Sequence, residues 1–136
     1  MQAVLGIDVG TGSARAGLFD LSGRPIASAS HPIQLWREPG GIVEQSSADI
    51  WSAVCHAVRE AMTRAALGPE DVLGVGFDAT CSLVVLGEGG ASLPVGPSED
   101  PARDIIVWMD HRAVGQAERI NAEGHPVLAY VGGRIS

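Results

Sequence analysis

The chain opens on an apolar run from Ala3 to Val9, breaks at the polar stretch Gly10-Thr11-Gly12-Ser13, and resumes from Ala14 to Phe19 until Asp20-Leu21-Ser22-Gly23 stops it. Short apolar runs joined by a tight turn and closed by a second turn predict an antiparallel pair of strands. A third strand is expected from about Ile26 to Ile33, with Pro25 and Pro32 at its ends. Proline cannot donate to a ladder, so this strand belongs near a sheet edge. Trp36 to Gln45 reads as a loop that turns at Pro39-Gly40-Gly41. From Ser46 the period changes: Ile50, Trp51, Val54, Val58, Ala61, Met62 and Ala65 recur at helical spacing. Ser46 and Asp49 resemble a capping box at the start of this helix, and Gly68-Pro69 ends it.

Val72 to Phe77 reads as a buried strand entered from a helix, and therefore parallel to the first strand. Leu83 to Leu86 reads as another strand, closed by Gly87-Glu88-Gly89-Gly90. Ala91 to Arg103 is rich in Gly, Pro and Ser and predicts a loop; Ile105 to Trp108 restores strand character. A second helix is expected from about His111 to Glu123, stopping at Gly124, and a last apolar segment covers Val127 to Val131. The pattern is α/β. At 136 residues the chain has room for one core and buries about two-thirds of the surface of its unfolded form. The last apolar segment has no evident partner, so the chain is expected to be the front of something longer.

Composition narrows the function classes. Hydrophobic residues are 46% and charged residues 18%, too apolar for a disordered tail, and Gly and Pro interrupt every run before it could span a membrane. The nine basic residues are all arginine and face sixteen acids, a net charge of -7. Nucleic-acid binding rests on a basic stripe or patch, so neither nucleic acid nor a membrane is an expected partner. Met1 to Asp8 lacks the basic region of a signal peptide, and Cys55 and Cys81 form no CxxC or Cys/His cluster. A reducing cytoplasm is the expected compartment.

The chemistry concentrates at Asp8-Val9-Gly10-Thr11-Gly12-Ser13. Backbone N–H groups can approach an anion closely at the glycines, and Thr11 and Ser13 add hydroxyl donors. It is not a Walker A loop, because the chain has no lysine. Nor is it a dinucleotide fingerprint, because Arg15 stands where the third glycine would fall and a strand follows instead of a helix. A phosphate cradle competes with a plain hairpin turn that tolerates positive φ. Asp8 favours the cradle, since a carboxylate at that strand end is suited to hold Mg²⁺ through water. Arg15, two residues past the turn, would reach the phosphate from the second strand.

The order strand, DxGTGS turn, strand, strand, helix, strand resembles the first lobe of the actin, sugar kinase and Hsp70 ATPase superfamily, whose mixed sheet with flanking helices is ribonuclease-H-like. More closely, the chain resembles the N-terminal part of the FGGY carbohydrate kinases. The resemblance is carried by Gly6 to Arg15, by Gly41-Ile42-Val43-Glu44-Gln45, by Gly74 to Ser82 and by Ile106 to Ala113, in family order. Gly76-Phe77-Asp78-Ala79-Thr80-Cys81-Ser82 followed by Trp108-Met109-Asp110-His111-Arg112-Ala113 looks closest to ribulokinase-like pentulose kinases. The glycerol kinase pattern has Arg-Glu where Thr80 and Cys81 stand, and the xylulose kinase pattern has Met-His at Ala79 and Thr80.

The resemblance implies transfer of the ATP γ-phosphoryl group, with Mg²⁺, to a terminal hydroxyl of a ketopentose or pentitol such as D-ribulose. It places Gly10, Thr11, Gly12, Ser13 and Arg15 at the phosphate, Asp8 at the metal, and Asp78, Thr80, Cys81, Trp108 and Asp110 near the sugar. A polyol needs paired donors and acceptors in a cleft and an aromatic face for its C–H surface, which suits that last group. The family's Asp general base lies further along than Ser136, as do most adenine contacts. An incomplete first lobe on its own is therefore expected to be inactive, and its uncovered apolar face to self-associate. Two alternatives stand beside this reading: a non-catalytic nucleotide-binding or scaffold module of the same superfamily, and a small α/β binding domain whose glycine turn is only a turn.

Overall fold

The structure is a computed structural model that describes residues 1–136. Strands β1 (Ala3–Val9), β2 (Ser13–Asp20) and β3 (Pro25–Pro32) form an antiparallel meander. Strand alternation divides their side chains. Ala3, Leu5 and Val9, with Ala14, Ala16 and Leu18 and with Ala29, are buried on one face. Val4, Arg15 and Phe19 occupy the other, which is open. Next come β4 (Trp36–Glu38) and β5 (Ile42–Gln45), then helix α1 (Ser47–Ala65), which buries Ala53, Val54, Ala57 and Ala61 against the meander. Helix and sheet meet largely through alanines, so their backbones approach closely.

Ser46 caps α1 as its sequence position predicts, its hydroxyl accepting from the Asp49 N–H at 3.3 Å. The reciprocal half of the capping box does not form. The Asp49 carboxylate accepts instead from the Gln34 N–H at 2.7 Å, tying the chain after β3 to the helix start. Asp104 supplies the second cap, accepting from the Ser47 N–H at 2.7 Å and from the Ser47 hydroxyl. The helix ends before Gly68-Pro69, at Ala66 in the left-handed region (φ 52°), whose N–H reaches back to the last carbonyls.

Strand β6 (Val72–Ala79) then runs parallel to β1, as expected, giving a four-stranded mixed sheet in the order β3-β2-β1-β6. β3 is an edge strand, as its prolines predict. The expectation that Val72 to Phe77 is buried is corrected: Val75 is 62% and Phe77 57% exposed. β6 is the other edge, and α1 lies over β2 and β3, leaving the outer strand bare. Trp51 is exposed on the same side, so it borders an apolar cleft with Val75 and Phe77 instead of filling the core.

The second half departs further from its sequence pattern. The segment read as a loop from Trp36 to Gln45 contains the β4–β5 hairpin, turning through Gly40 and Gly41 at φ 86° and 83°. Only Val85–Leu86 of the predicted strand becomes β7; it pairs with β8 (Ser92–Leu93), which lies inside the predicted loop. β9 is shortened to Ile105–Ile106, antiparallel to β5, leaving Trp108 outside any strand. A single helical turn at His111–Ala113 leads into α2 (Val114–Glu123), and Pro126–Val131 is a short 3-10 segment. These ladders are too short to show a period of two, and β-residues scattered among glycines look like loop. No helix is long and apolar enough to cross a membrane.

Leu18 is fully buried, so Leu18→Ala is expected to lower unfolding free energy by about 3 kcal/mol. Ser46→Ala removes only a cap and is expected to cost about 1 kcal/mol. Urea unfolding of both variants checks the ranking, and equal losses would contradict it.

Candidate active site

The Gly10–Ser13 turn is held by its carbonyls. Val9 C=O accepts from the Thr80 N–H at 3.1 Å, Gly12 C=O from the Ile33 N–H at 3.0 Å, and Ser13 C=O from the Gly10 N–H at 3.0 Å. Thr11 C=O accepts from the Gln45 side-chain amide at 2.6 Å. The N–H groups of Thr11 and Gly12 meet no protein acceptor. Neither Gly10 nor Gly12 has a positive φ, and a Cβ added at Gly12 would meet nothing within 4 Å. The glycines are therefore not required by the conformation of the turn. They leave unobstructed space in front of free backbone donors, the property of an anion cradle.

Register assembles the charged groups beside the turn. Asp8 lies opposite Arg15 on β2 and next to Asp78 on β6. Arg15 Nη1 donates to Asp8 Oδ2 at 2.9 Å, with both side chains about half exposed. Gly6, Gly17 and Gly76 are neighbours in the same ladders and leave a trough of about 470 Å³ floored by backbone. The Phe19 ring covers one end of it, so close to Gly17 that a Cβ there would sit 3.0 Å from the ring.

Trp108 reaches the same turn from 97 residues away, its indole N–H donating to Thr11 Oγ1 at 3.0 Å. Its backbone N–H donates to Ser82 Oγ at 3.2 Å, which sets its position at the end of β6. The ring is 57% exposed, leaving a face open to a ligand. Thr80 continues the ladder of β6 by its bond to Val9, and Cys81 follows in the left-handed region at φ 61°. That conformation is unfavourable for a side-chain-bearing residue, and such strain gathers at binding sites. The Cys81 thiol donates to Ala79 C=O at 3.3 Å; Asp78 Oδ1 accepts from the Ala79 N–H at 3.0 Å.

Asp110 is placed differently from the others. Its side chain is buried and its oxygens accept from the Val43 N–H, the Arg112 N–H, and Arg112 Nε and Nη2 at 2.7–3.2 Å. The Arg112 guanidinium, with the Val43 N–H, holds this carboxyl below the usual carboxylate range despite burial. In this structure Asp110 ties β5 to the start of the second helical region, and both its oxygens are engaged by protein donors.

Three other groups have no assigned role in the sequence pattern. Gln45, 1% exposed, braces the turn; it belongs to the Gly41–Gln45 motif, but nothing in the motif shows where its amide goes. Asp104 caps α1 from another segment. Burial raises its carboxyl, but the hydrogen bonds it accepts, those from Ser47 foremost, together leave it lowered. Arg103 lies 5.1 Å over the Trp36 ring and bridges Glu38 and Asp100, with the fully buried Glu44 3.8 Å away.

Solved sugar kinases share this fold. The xylulose kinase of Rhodospirillum rubrum superposes with a TM-score of 0.74 at 27% identity, over 96% of this chain and 25% of that one. A ligand-bound xylulose kinase of Lactobacillus acidophilus, at 22% identity and a TM-score of 0.73, shares the fold over 91% of this chain and 23% of its own. The model for the N-terminal domain of the FGGY family of carbohydrate kinases matches residues 3–131, and the chain belongs to that family. It is 48% identical over 132 residues to a human FGGY carbohydrate kinase domain-containing protein. It is 46% identical over 134 residues to a D-ribulokinase of Saccharomyces cerevisiae. Each match covers 97% of this chain but only 24% and 19% of those relatives, so the chain spans about a quarter of their length or less.

The lowered carboxyls set the acid response. A depressed Asp contributes stability that is present above its unfolded pKa and lost as pH falls through its folded one. Thermal unfolding of this chain is expected to be flat above roughly pH 5 and to weaken below roughly pH 4. Asp110→Asn should unfold at lower temperature at pH 7 and show a shallower acid decline; an unchanged decline would refute its share.

Proposed function

We propose that the whole protein transfers the γ-phosphoryl group of ATP to a terminal hydroxyl of a pentulose or pentitol, D-ribulose or a close relative of it. The observation that carries this reading is the turn at Thr11 and Gly12, with free amides and its carbonyls anchored, set between the Asp8–Arg15 pair and the open face of Trp108. The 46% identity to a D-ribulokinase supports the pentulose over other sugars. Residues 1–136 are then the front of the first lobe, and the general base and most adenine contacts come from elsewhere in the polypeptide.

In this reading the Thr11 and Gly12 amides and the Thr11 and Ser13 hydroxyls receive the transferred phosphate. Arg15 neutralises its charge after exchanging Asp8 for phosphate oxygens. Nowhere do three His, Cys, Asp or Glu side chains gather as a metal cage. Asp8 with Asp78 beside it suits Mg²⁺, which is usually held by one or two carboxylates together with phosphate oxygens and water. Bound there, the ion would neutralise charge on the phosphates. Trp108 offers its face to the C–H surface of the sugar, and Asp78, Thr80 and Cys81 line the approach. Asp110 acts on that region by fixing the segment that carries Trp108. The apolar strip of Trp51, Val75 and Phe77 is where an isolated chain would meet a second copy, which sedimentation would show as a dimer.

ADP release by the whole protein should be seen with D-ribulose ahead of L-ribulose, D-xylulose, ribitol and glycerol, and residues 1–136 alone should give none. Asp8→Asn is expected to lower kcat by roughly a hundredfold, the scale of losing one preorganised electrostatic group. ATP binding without turnover on any of these substrates would sink the transfer reading and favour a scaffold.

A further inference from the structure

The turn is clamped at one residue by two side chains 34 and 97 residues further along the chain. Gln45 pulls the Thr11 carbonyl into the protein at 2.6 Å. In a planar trans peptide the C=O and the following N–H point in opposite directions. Drawing the Thr11 carbonyl inward therefore turns the Gly12 N–H outward, where it meets no protein acceptor. Trp108 acts on the side chain of the same residue. A threonine hydroxyl has one proton to donate and two lone pairs, and the indole N–H, which can only donate, occupies a lone pair at 3.0 Å. The Thr11 proton is left to donate elsewhere, and no protein acceptor takes it. Gln45 is buried, while Trp108 is 57% exposed. One clamp is thus shielded from solvent, and the other is open to it.

We infer that Gln45 and Trp108 are positioning residues that aim the Gly12 N–H and the Thr11 O–H at the transferred phosphate. The inference rests on the phosphoryl-transfer reading above for what the anion is. It adds that the aromatic residue acts through its N–H as well as through its face.

Trp108→Phe keeps an aromatic face and deletes only the donor, while Thr11→Val deletes the acceptor together with the O–H aimed at the phosphate. In the whole protein Trp108→Phe is expected to lower kcat about tenfold, the scale of one hydrogen bond to a charged group, and Thr11→Val at least as much, with the sugar KM changed less than threefold. The double variant should be no worse than Thr11→Val alone. Losses that multiply, or a Trp108→Phe effect confined to KM, would overturn the inference while leaving the kinase reading intact. A second readout needs no turnover: calorimetry of MgATP and MgADP, whose affinity ratio reports the terminal phosphate. If no sugar is phosphorylated, the pentulose reading falls. An ATP preference reduced in Trp108→Phe, and reduced no further in the double variant than in Thr11→Val, then supports the clamp, and a preference unchanged in Trp108→Phe refutes it. Gln45→Met should lower the same ratio. Because Gln45 is buried, its variant is interpreted only beside a matching melting temperature, and the exposed pair decides the outcome without it.

Discussion

The site exists because β1 is paired on both sides at once, antiparallel to β2 and parallel to β6. That double register places Asp8 between Arg15 and Asp78 and sets Gly6 between Gly17 and Gly76. A slip of one residue in either ladder would send Asp8 toward α1 and bring an apolar side chain onto the open face. The alternation along β1 is thus a core specification and a site specification together. Leu5 and Val9 secure the register by being buried, and Asp8 inherits its position from them. The parallel pairing also delivers the end of β6 beside the turn, through the bond between Thr80 and Val9, and this brings Cys81 and Ser82 to the place where Trp108 is held.

The first half of the chain was legible because its elements are long enough to display a period. The β1–β3 meander, α1 with its Ser46 cap, and β6 parallel to β1 all follow from runs of seven or more residues. The β4–β5 hairpin and β8 were read as loop, and the strands at β7 and β9 were read too long, since two to four residues carry no measurable alternation. The burial of β6 was misread for a different reason. Its apolar composition describes a strand meant to be covered, and composition says nothing about whether the cover lies in these residues. Of the site, the turn and the neighbouring charges could be read locally. The Gln45 and Trp108 contacts could not, because each spans a distance along the chain that only the folded sheet closes.

The acidic balance has a structural use. Several of the sixteen acids do not dress the surface. Asp49, Asp104 and Asp110 accept backbone N–H groups of Gln34, Ser47 and Val43 from distant segments, and Asp20 closes its own turn through Ser22 and Arg24, with its carboxyl pulled down to about 2. In a chain with brief strands and long connections, carboxylates do the joining that hydrogen-bonded sheet does elsewhere. Arginine suits the same economy, since a planar guanidinium can answer several acceptors at once, as Arg103 and Arg112 do.

The alanine contact between α1 and the meander makes the mutational tolerance of this core lopsided. Ala14 and Ala16 on one side and Ala53, Ala57 and Ala61 on the other are almost fully buried yet have no methylene to lose. Truncation scanning, the usual map of a hydrophobic core, would pass over the most closely packed seam in the molecule. Enlargement finds it: one added branch must push the helix off the sheet, at about 1–3 kcal/mol per site. Drift at these positions is therefore confined to residues no larger than alanine or glycine, whereas Leu18 and Val54 can be exchanged among aliphatic neighbours. A family whose members keep this spacing between helix and sheet should show its strictest size limits at residues that carry the least side chain.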